Sequence, residues 1–153
     1  MQPAEIIEKL PYSYPFLFVD ALEEISEDSA SGHYTFPESA FYYQGHFKNN
    51  PVTPGVILAE CMAQIGVVSL GINLLNKGKE VGEFEEDAKE LQIAMSNVDV
   101  DFFLPVFPGE RVTVTSEKEY FRFNKLKCRV QMRNEEGKLV CKGEISGMII
   151  ENE

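Results

Sequence analysis

The chain has 153 residues, the length of one domain, and its 44% hydrophobic and 25% charged composition is that of a polymer able to bury a core. A formal net charge of −11 argues against nucleic acid as a partner, because phosphate binding needs a cationic surface that releases counterions. The charge is uneven: residues 1–110 carry 18 acids against 5 bases, while residues 111–153 carry 7 acids against 9 bases. An anionic partner is therefore expected at the C-terminal third.

In chain order, Ala4 to Leu10 predicts a short amphipathic helix ending at Pro11. Phe16-Leu17-Phe18-Val19 reads as a buried strand, rich in aromatic and branched residues, and His33-Tyr34-Thr35-Phe36 as a second. One long helix follows. Thr53 is an N-cap residue type, Pro54 suits the first helical position, and the apolar run continues to Leu75 before Asn76-Lys77-Gly78 stops it. With apolar residues nearly all round, this helix is expected to be buried. Glu60, Gln64, Ser69 and Asn73 interrupt it, which argues against a membrane span. Ala59, Ala63 and Gly66 share a small face that permits close approach of another element.

Glu80 to Glu90 is acidic and reads as an exposed loop or a short frayed helix. The period then changes to two. Val112 and Val114 alternate with threonines, and Leu126, Cys128, Val130 and Met132 alternate with Lys127, Arg129, Gln131 and Arg133. The turn Asn134-Glu135-Glu136-Gly137 leads into Leu139, Cys141 and Ile145, making a hairpin. One buried helix with several antiparallel strands is an α+β plan, and a sheet curled around the helix fits it best. No linker or repeat divides the chain, so residues 1–153 read as a single domain. The three cysteines, Cys61, Cys128 and Cys141, form no CxxC pair and sit in apolar runs, and the N-terminus lacks a secretory pattern. The expectation is a soluble cytoplasmic protein.

Two histidines limit the chemistry. His33 sits in a strand-like alternation and reads as structural, whereas His46 stands in Gln44-Gly45-His46-Phe47, a segment without period just before the helix. Glu60 lies within the apolar helix, where an unpaired carboxylate costs several kcal/mol and tends to raise its pKa. Either Gln64 or a backbone group satisfies it, or it is kept for proton transfer. No metal-ligand spacing, GxGxxG, phosphate loop or GxSxG elbow is visible, so neither a metal nor a nucleotide cofactor is expected. One imidazole, one carboxyl and a glycine N–H at a helix start suit proton abstraction beside a carbonyl.

Gly45-His46-Phe47, Pro51-Val52-Thr53-Pro54-Gly55-Val56 and Glu60-Cys61-Met62-Ala63-Gln64 together resemble the signature of the 3-hydroxyacyl-[acyl-carrier-protein] dehydratases of the FabZ type. Leu10 to Asp20 resembles the same family's opening motif, and Phe103 to Glu110 a later one. The resemblance implies a hot-dog fold, an antiparallel sheet wrapped around one long central helix. It implies catalytic residues His46 and Glu60, 14 residues apart, meeting across a homodimer interface, with further assembly as trimers of dimers. Gly55, Gln64 and Phe47 would surround the substrate, an acyl carrier protein would deliver a 3-hydroxyacyl thioester, and no diffusible cofactor would be needed.

Three departures stand out. Tyr12-Ser13 replaces the family's usual His-Arg, Lys48-Asn49-Asn50 follows Gly-His-Phe in place of Pro-Gly, and Leu104 to Gly109 replaces an Arg-Pro-Val-x-Pro-Gly stretch. These bear on the acyl tunnel, carrier docking or substrate more than on dehydration itself. Arg122, Lys125, Lys127, Arg129 and Arg133 form either a carrier-docking patch or the solvated outer face of a hairpin. The rival readings are a hot-dog thioesterase and a non-catalytic acyl-binding or scaffold subunit.

Overall fold

Alternation of apolar and charged residues in the C-terminal third produces the long strands it predicts. The computed structural model describes residues 1–77 and 91–151, and the acidic stretch read as a loop at Glu80 to Glu90 lies outside them. Six strands, β1 (Ala21–Ile25), β2 (Ser29–Thr35), β3 (Leu91–Phe102), β4 (Arg111–Arg122), β5 (Lys125–Asn134) and β6 (Leu139–Glu151), form one sheet in the order β1-β2-β4-β5-β6-β3. Every pairing is antiparallel.

On β4 and β5 the inward side chains Val112, Val114, Leu126, Cys128, Val130 and Met132 are buried. Burial of each Val, Leu or Met side chain contributes about 1.5–3 kcal/mol. The β5–β6 turn is built by Asn134, whose Oδ1 accepts from the N–H groups of Glu136 and Lys138, while Gly137 takes φ +77°. A register shift near Met132 and Arg133 breaks the expected alternation in β6, so Val140 and Cys141 are both buried and Leu139 only partly.

The central helix, Gly55–Leu75, runs without a break and is enclosed by the sheet. It is long and apolar enough to cross a membrane, but 83% of its most apolar window is buried inside the fold, which makes it the core helix. Residues Gln64–Val68 form a π turn within it, in which the Ser69 N–H and its hydroxyl, at 2.8 Å, both reach the Gln64 carbonyl. The expected small face sits here. A Cβ on Gly66 would lie 3.0 Å from Ser116 Cβ and 3.1 Å from Val130 Cγ1, and the Ser116 hydroxyl donates to the Gly66 carbonyl at 2.8 Å. Sheet and helix backbone touch at this point.

Two local expectations are corrected. Phe16 to Val19 is not a strand; pairing begins only at Asp20, whose N–H donates to His33 O. The backbone groups that a ladder would use are taken by the helix: Phe18 N–H donates to Gln64 Oε1 at 2.8 Å, Cys61 Sγ donates to Phe18 O, and Gln64 Nε2 donates to Phe16 O at 3.0 Å. Thr53 is not the N-cap. Pro54 occupies that position, its carbonyl accepting from Ile57 and Leu58, and the Thr53 hydroxyl is instead bound to Tyr43. The opening helix, Pro3–Lys9, lies where its amphipathic pattern placed it.

Overpacking at Gly66 would push the helix off the sheet. Gly66→Val should lower the free energy of unfolding by about 1–3 kcal/mol, read as a reduced urea midpoint with an unchanged slope.

Candidate active site

His46 is carried by a loop stitched to itself in layers. After a 3₁₀ turn at Phe41–Gln44, the His46 and Val52 backbones are joined by Val52 N–H donating to His46 O at 2.8 Å. At the tip, Phe47 and Asn50 exchange backbone hydrogen bonds of 2.9 and 3.0 Å. Asn49 adopts φ +63°, a left-handed geometry that asparagine tolerates, which accounts for the Lys48-Asn49-Asn50 stretch locally. Behind the loop the Tyr43 hydroxyl and Thr53 Oγ1 lie 2.6 Å apart, both buried, and Thr53 N–H donates to Val106 O at 2.8 Å. This clamp joins the residues before His46 to those before the helix.

The imidazole itself is oriented by a carbonyl. His46 Nδ1 lies 2.9 Å from Val52 O, and a carbonyl can only accept, so Nδ1 carries the hydrogen and Nε2 keeps its lone pair in the neutral ring. The ring stacks on Phe47 with centroids 4.1 Å apart. The sequence-predicted base is thus held in the tautomer that leaves a free basic nitrogen.

Gly55 opens the central helix, and among the described residues its N–H has no partner. A Cβ there would meet the Phe102 ring at 3.4 Å, so the end of β3 leans over the helix N-terminus. The orphan N–H groups and the helix dipole favour negative charge at this end.

Glu60 lies beyond Gly55 along the same helix and is half-buried, not fully enclosed as the apolar run suggested. Glu60 Oε1 accepts from Gln64 Nε2 at 3.1 Å. Gln64 is fully buried, and its three hydrogen bonds fix the amide and, through it, the carboxylate. Glu60 also lines a cavity of about 230 Å³ with Tyr12, Ala63, Val67, Ile93 and Gly147. Burial first, and the Glu60 charge second, push the Tyr12 phenol up to about 12.

His46 and Glu60 are not joined to each other within the chain: among the described residues the imidazole bonds Val52 and the carboxylate bonds Gln64. The structure adds Tyr43 and Phe102 to the residues read from the sequence, and it gives Tyr12 and Thr53, named there in other roles, contacts in the site. Tyr12 was visible as a departure from a motif; the Tyr43–Thr53 pair and Phe102 had no signal, because their contacts depend on how distant segments meet. The thiols take no part, since burial drives Cys61 far up and Cys128 and Cys141 up to about 12. The basic patch is mostly spoken for. Lys127 pairs with Glu119 and Glu144, Arg129 with Glu117 and Glu119, and Arg133 donates to Gly137 O, which is the solvated-face arrangement.

Residues 10–146 match the model of the FabA-like domain. The chain belongs to the FabA-like family. It is 35% identical over 146 residues to the 3-hydroxyacyl-[acyl-carrier-protein] dehydratase FabZ of Clostridium perfringens (strain SM101 / Type A), covering 92% of this chain and 93% of the relative. Among solved structures, the dehydratase heterocomplex ApeI:P from Xenorhabdus doucetiae superposes with a TM-score of 0.73 at 12% identity, covering 100% of this chain and 93% of that one. A thioesterase from Haemophilus influenzae gives 0.59 at 18% identity, covering 86% and 78%. At such identities both likenesses speak to the fold alone, which is the hot-dog arrangement of sheet around helix.

Tyr43→Phe deletes one oxygen from the buried clamp and strands the Thr53 hydroxyl. It should cost about 1–3 kcal/mol of stability, measured by denaturant unfolding.

Proposed function

We propose that this protein dehydrates 3-hydroxyacyl thioesters borne on an acyl carrier protein, giving trans-2-enoyl thioesters for fatty acid or related lipid synthesis. Family membership supplies the reaction class, and the His46 geometry is the observation that carries the assignment of residues. With Nδ1–H committed to Val52 O, Nε2 is the base that takes the C2 proton. The C2 electron pair becomes the C2–C3 double bond as the C3–O bond breaks. Glu60, protonated at the start of the step, gives its proton to the departing hydroxyl, which leaves as water. Negative charge gathers meanwhile on the thioester oxygen, and the Gly55 N–H at the helix N-terminus is the donor suited to receive it. Gln64 orients the carboxyl, Phe47 packs the imidazole, and the apolar cavity beside Glu60 takes the acyl chain.

The site is completed by a second copy of the chain, with His46 of one protomer facing Glu60 of the other. Two features support this. β3 is a twelve-residue edge strand paired on one side only. Apolar side chains, including Met95, Val98 and Phe102, stand exposed along it. Long apolar edges of this kind are covered in native proteins. Assembly of three such dimers, delivery by a carrier protein and a cytoplasmic location complete the reading, the last in keeping with three buried, unpaired thiols.

Two variants test the chemistry and the assembly together. His46→Ala and Glu60→Gln should each reduce dehydration by roughly 10²–10⁴-fold without loss of fold. Mixed and refolded, the two inactive proteins should regain activity, since a hybrid dimer holds one intact pair. Hybrids that form, by mass spectrometry, yet stay inactive would refute a shared site. Release of free thiol from an acyl carrier, lost on Glu60→Gln, would turn the reading to a thioesterase.

A further inference from the structure

The cavity beside Glu60 contains a donor that the reaction as described leaves unused. Tyr12 is half-buried, packs against the core and forms part of the cavity wall. Its hydroxyl has no hydrogen-bond partner among the described residues. Its place is referenced to the same group that places Glu60: Gln64 Nε2 donates both to Phe16 O, four residues beyond Tyr12, and to Glu60 Oε1. Tyr12 and Glu60 line the same cavity. Burial, the larger cause, pushes the phenol up to about 12, so it is a neutral donor near neutral pH. Most of the other side chains in the wall are apolar, among them Ala63, Val67, Ile93 and Ile145, and Ser146 is the other hydroxyl.

We propose that Tyr12 is a specificity-determining residue whose phenol donates a hydrogen bond to the 3-hydroxyl of the acyl chain and holds that oxygen against Glu60. The inference rests on the dehydratase reading for the placement of the 3-hydroxyl at Glu60. The oxygen has two lone pairs: one accepts from Tyr12, and the other receives the Glu60 proton as the C3–O bond breaks. A saturated chain offers the phenol nothing, so the cavity discriminates a 3-hydroxyacyl group from its saturated counterpart. Discrimination of this type is strong because the site's own donor goes unpaired with the wrong ligand.

The test compares binding of 3-hydroxyoctanoyl- and octanoyl-pantetheine, both as amides in place of thioesters so that elimination is suppressed, by calorimetry on the intact protein. The wild type should favour the hydroxylated ligand by about tenfold. Tyr12→Phe should bring the ratio close to one and leave the octanoyl affinity unchanged, while Ser146→Ala should keep the wild-type preference. The proposal is overturned if Tyr12→Phe keeps the tenfold ratio, if it weakens both ligands equally, or if Ser146→Ala abolishes the preference instead. A wild type with no preference overturns it as well. A protein that shows the preference but dehydrates no 3-hydroxyacyl carrier would sink the dehydratase reading and leave the Tyr12 contact standing. An active dehydratase indifferent to Tyr12→Phe would do the reverse.

Discussion

The arrangement depends on one buried amide. Gln64 has no exposed surface, and an unpaired amide in such a place costs roughly 1–3 kcal/mol by mutational measures. It is fully used: the oxygen accepts from Phe18 N–H, and the nitrogen donates to Phe16 O and Glu60 Oε1. A segment with no ladder of its own is thereby fastened to the core helix, and Phe18 and Val19 are carried into the core with it. The same amide sets the direction of the carboxylate. It also opens the π turn, where the wider backbone is stitched by Ser69 to the Gln64 carbonyl and by Ser116 to Gly66 O. Loop, helix and acid are therefore positioned by a single side chain, and none can shift without leaving a polar group unpaired.

The sequence discloses what is periodic and conceals what is reciprocal. β5 is legible because Leu126, Cys128, Val130 and Met132 alternate with charges, and the core helix because its apolar run exceeds any strand. Phe16 to Val19 has the composition of a strand, yet its partners are side chains more than 40 residues away, which no local rule reports. Thr53 satisfies the local rule for an N-cap and loses that role to Tyr43, a tertiary contact. The π turn is invisible for a different reason: Gln64–Val68 uses residues that an α-helix accepts equally well. In the site, His46 is legible through the company it keeps, the Gly45-His46-Phe47 motif and Glu60 within an apolar helix, since a lone histidine is by type more often structural. Glu60 is legible as a carboxylate among apolar residues, but its half-buried state and its bond to Gln64 are set by the tertiary structure.

The excess of bases in the C-terminal third does not survive as a free cationic surface. Lys127 lies between Glu119 and Glu144, and Arg129 between Glu117 and Glu119, so neighbouring strands supply counter-charges for one another. Exposed pairs contribute little to stability, and the network's larger effect is to cancel the local field. Counting charges along a chain overstates the field whenever cross-strand register places acids opposite bases. Arg129 faces Glu117 and Glu144 directly in the ladder. Attraction of an acidic carrier by this face is weaker than the composition suggests.

The two halves of the candidate site differ in how they are held, and the difference follows from what each must do. A base must present a lone pair, so its ring is fixed by a backbone acceptor that forces the hydrogen onto the opposite nitrogen, and the Tyr43–Thr53 clamp closes the loop behind it. An acid must keep one oxygen free, and Glu60 is accordingly gripped through Oε1 alone, by a donor that is itself immobile. Neither group reaches the other within the chain. Gly55 starts the helix on which Glu60 also rides, so the proposed oxyanion donor and the proposed acid keep a fixed separation through the backbone, whereas His46 rides on a separate loop. A protomer that carries Gly55 and Glu60 on one helix and His46 on a clamped loop, beside an apolar edge strand, is consistent with the proposed completion of the site by a second copy.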